Sequence, residues 1–182
     1  MKTITIKDKE FAVSIPEEEI QRAVQNVAER INWDLAGKNP LFLVVLNGAF
    51  MFAADLMKKV TIPSEITFIK LSSYQGTEST GVVKEIFGLN ENVEGRTIVI
   101  VEDIVDTGYT MEKIVNSLKE KKAADIRVAT FFLKPHSLQR DVPLNYVAME
   151  IPNDFIVGYG LDYDGYGRNL KEIYTLIPEQ PH

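Results

Sequence analysis

The stretch Ile98-Val99-Ile100-Val101-Glu102-Asp103-Ile104-Val105-Asp106-Thr107-Gly108-Tyr109-Thr110 holds a strand, a turn and the start of a helix. An apolar run ends in two adjacent acids, a short turn follows, and Asp-Thr-Gly-x-Thr opens the helix. In an open α/β sheet, ligands bind beyond the carboxyl ends of the strands. A helix N-terminus there offers unsatisfied N–H groups and partial positive charge, which suits a phosphate monoester. Gly108 permits close backbone approach, and Thr107 and Thr110 add hydroxyl donors. Glu102 and Asp103 repel phosphate, but they can accept hydrogen bonds from sugar hydroxyls or hold Mg²⁺ through water. The loop is thus cationic by geometry at one end and anionic by side chain at the other, which describes a cradle for ribose 5-phosphate. A plainer reading stands beside it: Asp106 as an N-cap and the acids as a solvated strand end.

Outward from this motif, Leu41–Leu46 (LFLVVL) and Val128–Leu133 (VATFFL) are further apolar runs without alternation, as in strands covered on both faces. Residues 66–71 and 145–150 alternate more and are also strand candidates. Helices are predicted over 48–60 and 110–122, the second with Met111, Ile114, Val115 and Leu118 on one stripe. Ser14-Ile15-Pro16-Glu17 resembles a capping box for another helix reaching about Trp33. Strand–helix–strand alternation predicts an open, mostly parallel, twisted α/β sheet flanked by helices. No repeat or linker interrupts residues 1–182, so one domain is expected. Residues 72–81 (SSYQGTESTG) are small and polar and read as a mobile surface loop or a plain hairpin connection.

Composition removes whole classes of chemistry. With no Cys, thiol catalysis, disulfide exchange and thiolate metal sites are excluded. With two His, one of them the last residue, a His-rich metal centre is impossible. A formal charge of −6 argues against a nucleic-acid binder, which needs a basic face. No apolar run approaches the roughly 20 residues of a membrane span, and the N-terminus has no signal-peptide core; a cytoplasmic protein is expected. There is no P-loop pattern. Gly158-Tyr159-Gly160 begins a dinucleotide fingerprint, but Tyr163 occupies the third glycine position. Asp162-Tyr163-Asp164 starts like a calcium loop and fails at Tyr166 and Ile173.

Val101–Thr110 resembles the phosphoribosyl-pyrophosphate signature of type I phosphoribosyltransferases, and the chain from about Leu43 to Pro178 resembles their hypoxanthine(-guanine) branch. Val45–Phe50 is similar to the diphosphate loop, and Ser72-Ser73-Tyr74 with Ser79-Thr80-Gly81 to the mobile catalytic loop. Lys134-Pro135 and Glu150–Tyr163 are similar to the purine-binding region. The resemblance implies the type I fold, with a small hood built from about 1–15 and 152–182. It implies transfer of 5-phosphoribose from phosphoribosyl pyrophosphate to N9 of hypoxanthine, and of guanine, in purine salvage.

The resemblance also assigns roles. Asp106 is the catalytic base, taking the N7 proton. Glu102, Asp103, Asp106, Thr107, Gly108, Tyr109 and Thr110 bind the phosphoribosyl group. Leu46, Asn47, Gly48 and Arg168 bind diphosphate. Ser73 and Tyr74 belong to the mobile loop. Lys134 donates to the 6-oxo group, Phe155 stacks on the base, Ile156 reads its edge through backbone, and Asp162 completes the purine region. Glu102, Asp103 and Asp162 are the implied Mg²⁺ positions. A cis peptide at Leu46–Asn47 and a homodimer or homotetramer are also implied. Two departures stand out: Asn47 offers no charge where relatives have Lys or Arg, and Gly167 replaces a bulky aromatic, which suggests a looser wall near the base. Competing readings are a nucleotide-sensing RNA-binding regulator of the same fold and a transferase preferring xanthine.

Overall fold

The computed structural model describes residues 1–75 and 82–181. It contains β1 (Thr3–Ile6), β2 (Lys9–Ile15), α1 (Glu17–Asp34), β3 (Leu41–Leu46), α2 (Phe50–Lys59), β4 (Glu65–Gln75), β5 (Val82–Phe87), β6 (Thr97–Val105), α3 (Tyr109–Glu120), β7 (Asp125–Leu133), β8 (Tyr146–Glu150), β9 (Ile156–Val157) and β10 (Ile173–Leu176). The main sheet has the order β5-β4-β3-β6-β7-β8. β3, β4, β6, β7 and β8 are mutually parallel, and β5 joins β4 antiparallel at the edge.

Buried residues of the central strands divide between the two sheet faces. Phe42, Val44, Val99, Val101 and Phe131 pack under α1 and α2, while Leu41, Leu43, Val45, Ile98, Ile100 and Val128 pack against α3. This two-sided burial is why β3, β6 and β7 read as unbroken apolar runs. The stripe Met111, Ile114, Val115 and Leu118 is fully buried, each side chain contributing roughly 1.5–3 kcal/mol. Chain order reverses at β3, which lies between β4 and β6. The loops leaving β3 and β6 therefore open side by side, where an α/β sheet places its ligand crevice.

A second sheet, β1-β2-β10-β9, joins the two ends of the chain. Its core is Ile6, Phe11, Val157 and Tyr174. Residues 158–166 are neither helix nor long strand; Gly158 bridges Leu161 and Tyr163 bridges Tyr166. No helix among the described residues is long and apolar enough to cross a membrane.

Several local expectations change. The predicted capping box does not form, and Pro16 is the N-cap without a side-chain bond. Ser14 stays in β2, its hydroxyl donating to the Ile173 carbonyl at 3.4 Å, and the Glu17 amide instead donates to the Glu172 carboxylate at 3.3 Å. β6 does not stop before Glu102; its pairing with β7 continues to Val105↔Leu133, so both acids lie inside the strand. α3 is capped by Gly108, two residues beyond Asp106. Ser72–Gln75 are strand residues of β4 paired with β5, which places Ser73 opposite Lys84 and Tyr74 opposite Val83. The rest of the expected mobile loop, 76–81, lies outside the described residues.

Candidate functional site

The turn after β6 forms the wall of a recess of about 240 Å³ lined by Glu102 to Gly108, Thr110 and Met111. Gly108 sits at φ 93°, a left-handed conformation that lets α3 begin immediately. A Cβ on Gly108 would meet Leu138 Cδ1 at 3.1 Å and Arg140 Cβ at 3.3 Å. The Thr107 carbonyl accepts from the amides of Gln139 at 2.9 Å and Arg140 at 3.2 Å. Residues 138–140 thus brace the turn from behind and leave its front open. The Lys134 amide donates to the Val105 carbonyl at 3.0 Å, tying the end of β7 to the same turn. Asp106 is exposed at the mouth of the recess.

Glu102 is 7% exposed, and its Oε1 accepts from the Asp103 amide at 3.0 Å. Asp103 Oδ1 accepts from the Ile104 amide at 2.7 Å. Its other oxygen closes on the neighbouring loop: a Cβ built on Gly48 would lie 1.8 Å from Asp103 Oδ2. Gly48 is therefore required by the acid beside it. The loop itself carries a cis peptide at Leu46–Asn47, as the resemblance implied.

On its far side the loop meets residues 158–162. A Cβ on Gly160 would lie 2.1 Å from the Gly48 carbonyl oxygen. Arg168 Nη1 donates to the Gly160 carbonyl at 2.7 Å, and its Nη2 is 3.2 Å from Asp162 Oδ1. Asp162 Oδ2 also accepts from the Gly165 amide at 2.8 Å. Asp103, Gly48, Gly160, Arg168 and Asp162 are thus linked through direct contacts. A guanidinium has five donors, so Arg168 keeps several for a ligand.

The proposed base-binding residues gather at the edge of the small sheet. Phe155 is 46% exposed. Its ring is backed by Phe11, at 6.2 Å between centroids, and meets Tyr163 edge-on at 5.9 Å and 86°. Lys134 Nζ donates to Asn153 Oδ1 at 3.3 Å, which brings the end of β7 to the Phe155 loop. The Tyr163 hydroxyl donates to Asp8 at 2.6 Å. That bond pushes Tyr163 up to about 12. Lys7, in the same β1–β2 turn, pairs with Asp164. Gly167 does not loosen this wall: at φ 95°, a Cβ there would meet Val157 Cγ2 at 2.5 Å. The space beside this glycine is taken up by the Val157, Ile6 and Leu170 side chains.

Reading the sequence missed the supports: Asp8 and Tyr163 behind Phe155, Asn153 beside Lys134, residues 138–140 behind the turn, and Tyr159. Tyr159 is 3% exposed and donates to Asp55 Oδ2 at 2.7 Å. Burial, with the Asp55 carboxylate adding to it, pushes the Tyr159 phenol far up, so it stays a donor. The flanking glycines of Gly158-Tyr159-Gly160 were the available signal.

No three acidic, His or Cys side chains among the described residues converge into a metal cage. Magnesium rarely uses one; it keeps several waters and binds one or two carboxylates plus substrate phosphates. Glu102 and Asp103, which line the recess after β6, have the oxygen chemistry of that mode, whereas both Asp162 oxygens are engaged by Arg168 and Gly165.

Residues 16–164 match the phosphoribosyl transferase domain. The chain is 40% identical over 164 residues to the hypoxanthine-guanine phosphoribosyltransferase of Streptococcus thermophilus, covering 90% of this chain and 91% of that protein. It is 43% identical to that of Streptococcus pyogenes over the same shares. Among solved structures, the hypoxanthine phosphoribosyltransferase of Staphylococcus aureus superposes with a TM-score of 0.84 at 37% identity, covering 91% of each chain.

Proposed function

The chain belongs to the hypoxanthine-guanine phosphoribosyltransferase family, and we propose how its own residues carry the reaction of that family. It is a purine-salvage transferase that moves 5-phosphoribose from phosphoribosyl pyrophosphate to N9 of hypoxanthine or guanine and releases diphosphate. The observation that carries the assignment of residues is the β6–α3 turn, whose amide-rich front adjoins two carboxylates and the Gly48 loop.

The 5-phosphate sits on the amides and hydroxyls of residues 107–110, where the α3 dipole adds its partial charge. Glu102 and Asp103 face the other way and hold the ribose hydroxyls. The diphosphate lies along Leu46-Asn47-Gly48 and takes the free donors of Arg168. As the anomeric C–O bond lengthens, the sugar becomes oxocarbenium-like and the leaving group gains negative charge. Fixed donors aimed at that charge stabilise the transition state more than the ground state. Bound Mg²⁺, held by Glu102 and Asp103 through water and substrate oxygens, would supply Lewis-acid stabilisation of the diphosphate.

The base stacks on the exposed face of Phe155, with the Ile156 backbone along its edge. Lys134 donates to the 6-oxo group, and a cation there disfavours a 6-amino purine, which presents donors to a donor. Asp106, exposed at the mouth of the recess, takes the N7 proton as N9 attacks. Such a base contributes roughly 10²–10⁴ in rate.

A panel of hypoxanthine, guanine, xanthine, adenine and uracil, each with phosphoribosyl pyrophosphate and Mg²⁺, tests the reading through diphosphate release. Release is expected with hypoxanthine and guanine and not with adenine or uracil. Release independent of any base, or dependent on adenine, would refute it.

A further inference from the structure

We propose that Tyr159 is a positioning residue for the diphosphate half of the site, acting through Asp55; this rests on the transfer reaction above. Tyr159 adopts φ 46°, a left-handed conformation uncommon for a bulky residue. The fold enforces it from both sides. A Cβ on Gly158 would meet the Glu172 carbonyl oxygen at 2.1 Å, and one on Gly160 would meet the Gly48 carbonyl oxygen at 2.1 Å. Between these two close approaches the chain turns the Tyr159 ring into the core, 5.0 Å from the Phe131 ring.

The hydroxyl finds Asp55 in α2, the helix that starts at Phe50, directly after the diphosphate loop. Gln21 Nε2 donates to the same Asp55 oxygen at 2.9 Å, so α1, α2 and residue 159 share one carboxylate. The segment 158–162 is therefore fixed to the β3 loop and its helix at two points: backbone against backbone at Gly160 and Gly48, and side chain to side chain at Tyr159 and Asp55. Gly160 in turn holds Arg168, and Arg168 holds Asp162.

Removing only the hydroxyl leaves the ring packed but frees one of the two points. Arg168 and the Gly48 loop then lose their mutual register. The direct supports of Phe155 and Lys134 do not run through this bond: Phe155 rests on Phe11 and Tyr163, and Lys134 on Asn153. A split between substrates follows.

Steady-state kinetics of Tyr159→Phe test it, with base-dependent diphosphate release by the wild-type protein measured first. The KM for phosphoribosyl pyrophosphate should rise roughly tenfold, as for one hydrogen bond to a charged group, while the KM for hypoxanthine stays within about twofold. Asp55→Ala should give the same split from the other end of the bond, and Asp55→Asn, which keeps an acceptor oxygen, should restore most of it. The double variant Tyr159→Phe/Asp55→Ala should be no worse than either alone. An unchanged KM for phosphoribosyl pyrophosphate, an equal rise in both KM values, or additive effects in the double variant would overturn the inference while leaving the function standing. A wild-type protein with no base-dependent release would overturn both.

Discussion

Substituting Gly160 by Ala probes the seam on which the site is built. The added Cβ would lie 2.1 Å from the Gly48 carbonyl oxygen, a backbone atom that cannot swing away. Contact between carbon and oxygen relaxes near ~3.3 Å, so one strand of the seam must retreat by about 1 Å. Two costs arise. Gly160 sits at φ 97°, where a side chain costs roughly 1–2 kcal/mol. Overpacking adds roughly 1–3 kcal/mol. Gly37→Ala separates the two, because Gly37 is also left-handed, at φ 77°, with nothing within 4 Å of a Cβ. Gly37→Ala should lose roughly 1–2 kcal/mol by denaturant unfolding and keep full activity. Gly160→Ala should lose roughly 2–5 kcal/mol, and its kcat/KM for phosphoribosyl pyrophosphate should fall by about 10²-fold, as expected when reacting groups shift by about 1 Å. If Gly160→Ala were no more harmful than Gly37→Ala, in stability and in turnover alike, the seam between residues 46–48 and 158–162 would not organise the site.

Asp106→Asn should lower kcat by at least roughly 10²-fold with little change in substrate KM; wild-type turnover would remove Asp106 as the base. Lys134→Ala should raise the KM for hypoxanthine and guanine and narrow the preference over adenine, and unchanged hypoxanthine kinetics would reject the contact with the 6-oxo group. The Asp8–Tyr163 bond gives a pH test. It holds Asp8 below its ordinary 3.8 and raises Tyr163 from 10.0 to about 12. The carboxylate's share is thus present above about pH 4 and lost as pH falls, and the phenol's share is present below about pH 10 and lost as pH rises through 12. The unfolding free energy of wild type minus that of Asp8→Ala should be level from about pH 5 to about pH 9 and shrink on both sides; a difference that persists unchanged at about pH 3 would contradict the bond.

The central strands were legible because their chemistry is one-dimensional. Burial on both faces leaves β3, β6 and β7 no polar alternation, and α3 shows its buried stripe at helical spacing. The β6–α3 turn was legible for a different reason: close packing and a left-handed cap demand Gly108 whatever the ligand. Boundaries failed where pairing with a neighbour overrode local composition. Glu102 and Asp103 read as a strand end, yet β7 carries the ladder three residues past Glu102. Ser14 read as a cap, yet Ile173 at the start of β10 captures its hydroxyl, and Glu172, the residue just before that strand, takes its place at the Glu17 amide. Residues 72–75 read as loop, yet β5 pairs with them.

What stayed invisible is what joins distant parts of the chain. β9 is two residues long and exists only through β10. Asp55 looks like an ordinary helix carboxylate until Tyr159, 104 positions later, reaches it. Gly167 looked like a gap because a missing side chain suggests empty space, whereas Val157 and Ile6 fill it.

The same long-range joining explains how a chain of charge −6 is suited to a polyanionic substrate. Net charge acts over distances that salt screens within roughly 8 Å, whereas binding is decided by donors in contact. In the proposed site those donors are backbone amides of the β6–α3 turn and the Gly48 loop, together with Arg168. Amides are neutral, so they add nothing to the charge count, and a helix N-terminus aims several at one phosphate. The acids are then free to face the sugar. Glu102 and Asp103 bond neighbouring backbone amides, which fixes their direction, and Asp162 is held by Arg168 and Gly165. An acidic protein can thus sort one substrate into an anionic end and a hydroxylated middle, and the sorting depends on backbone direction rather than on surplus positive charge.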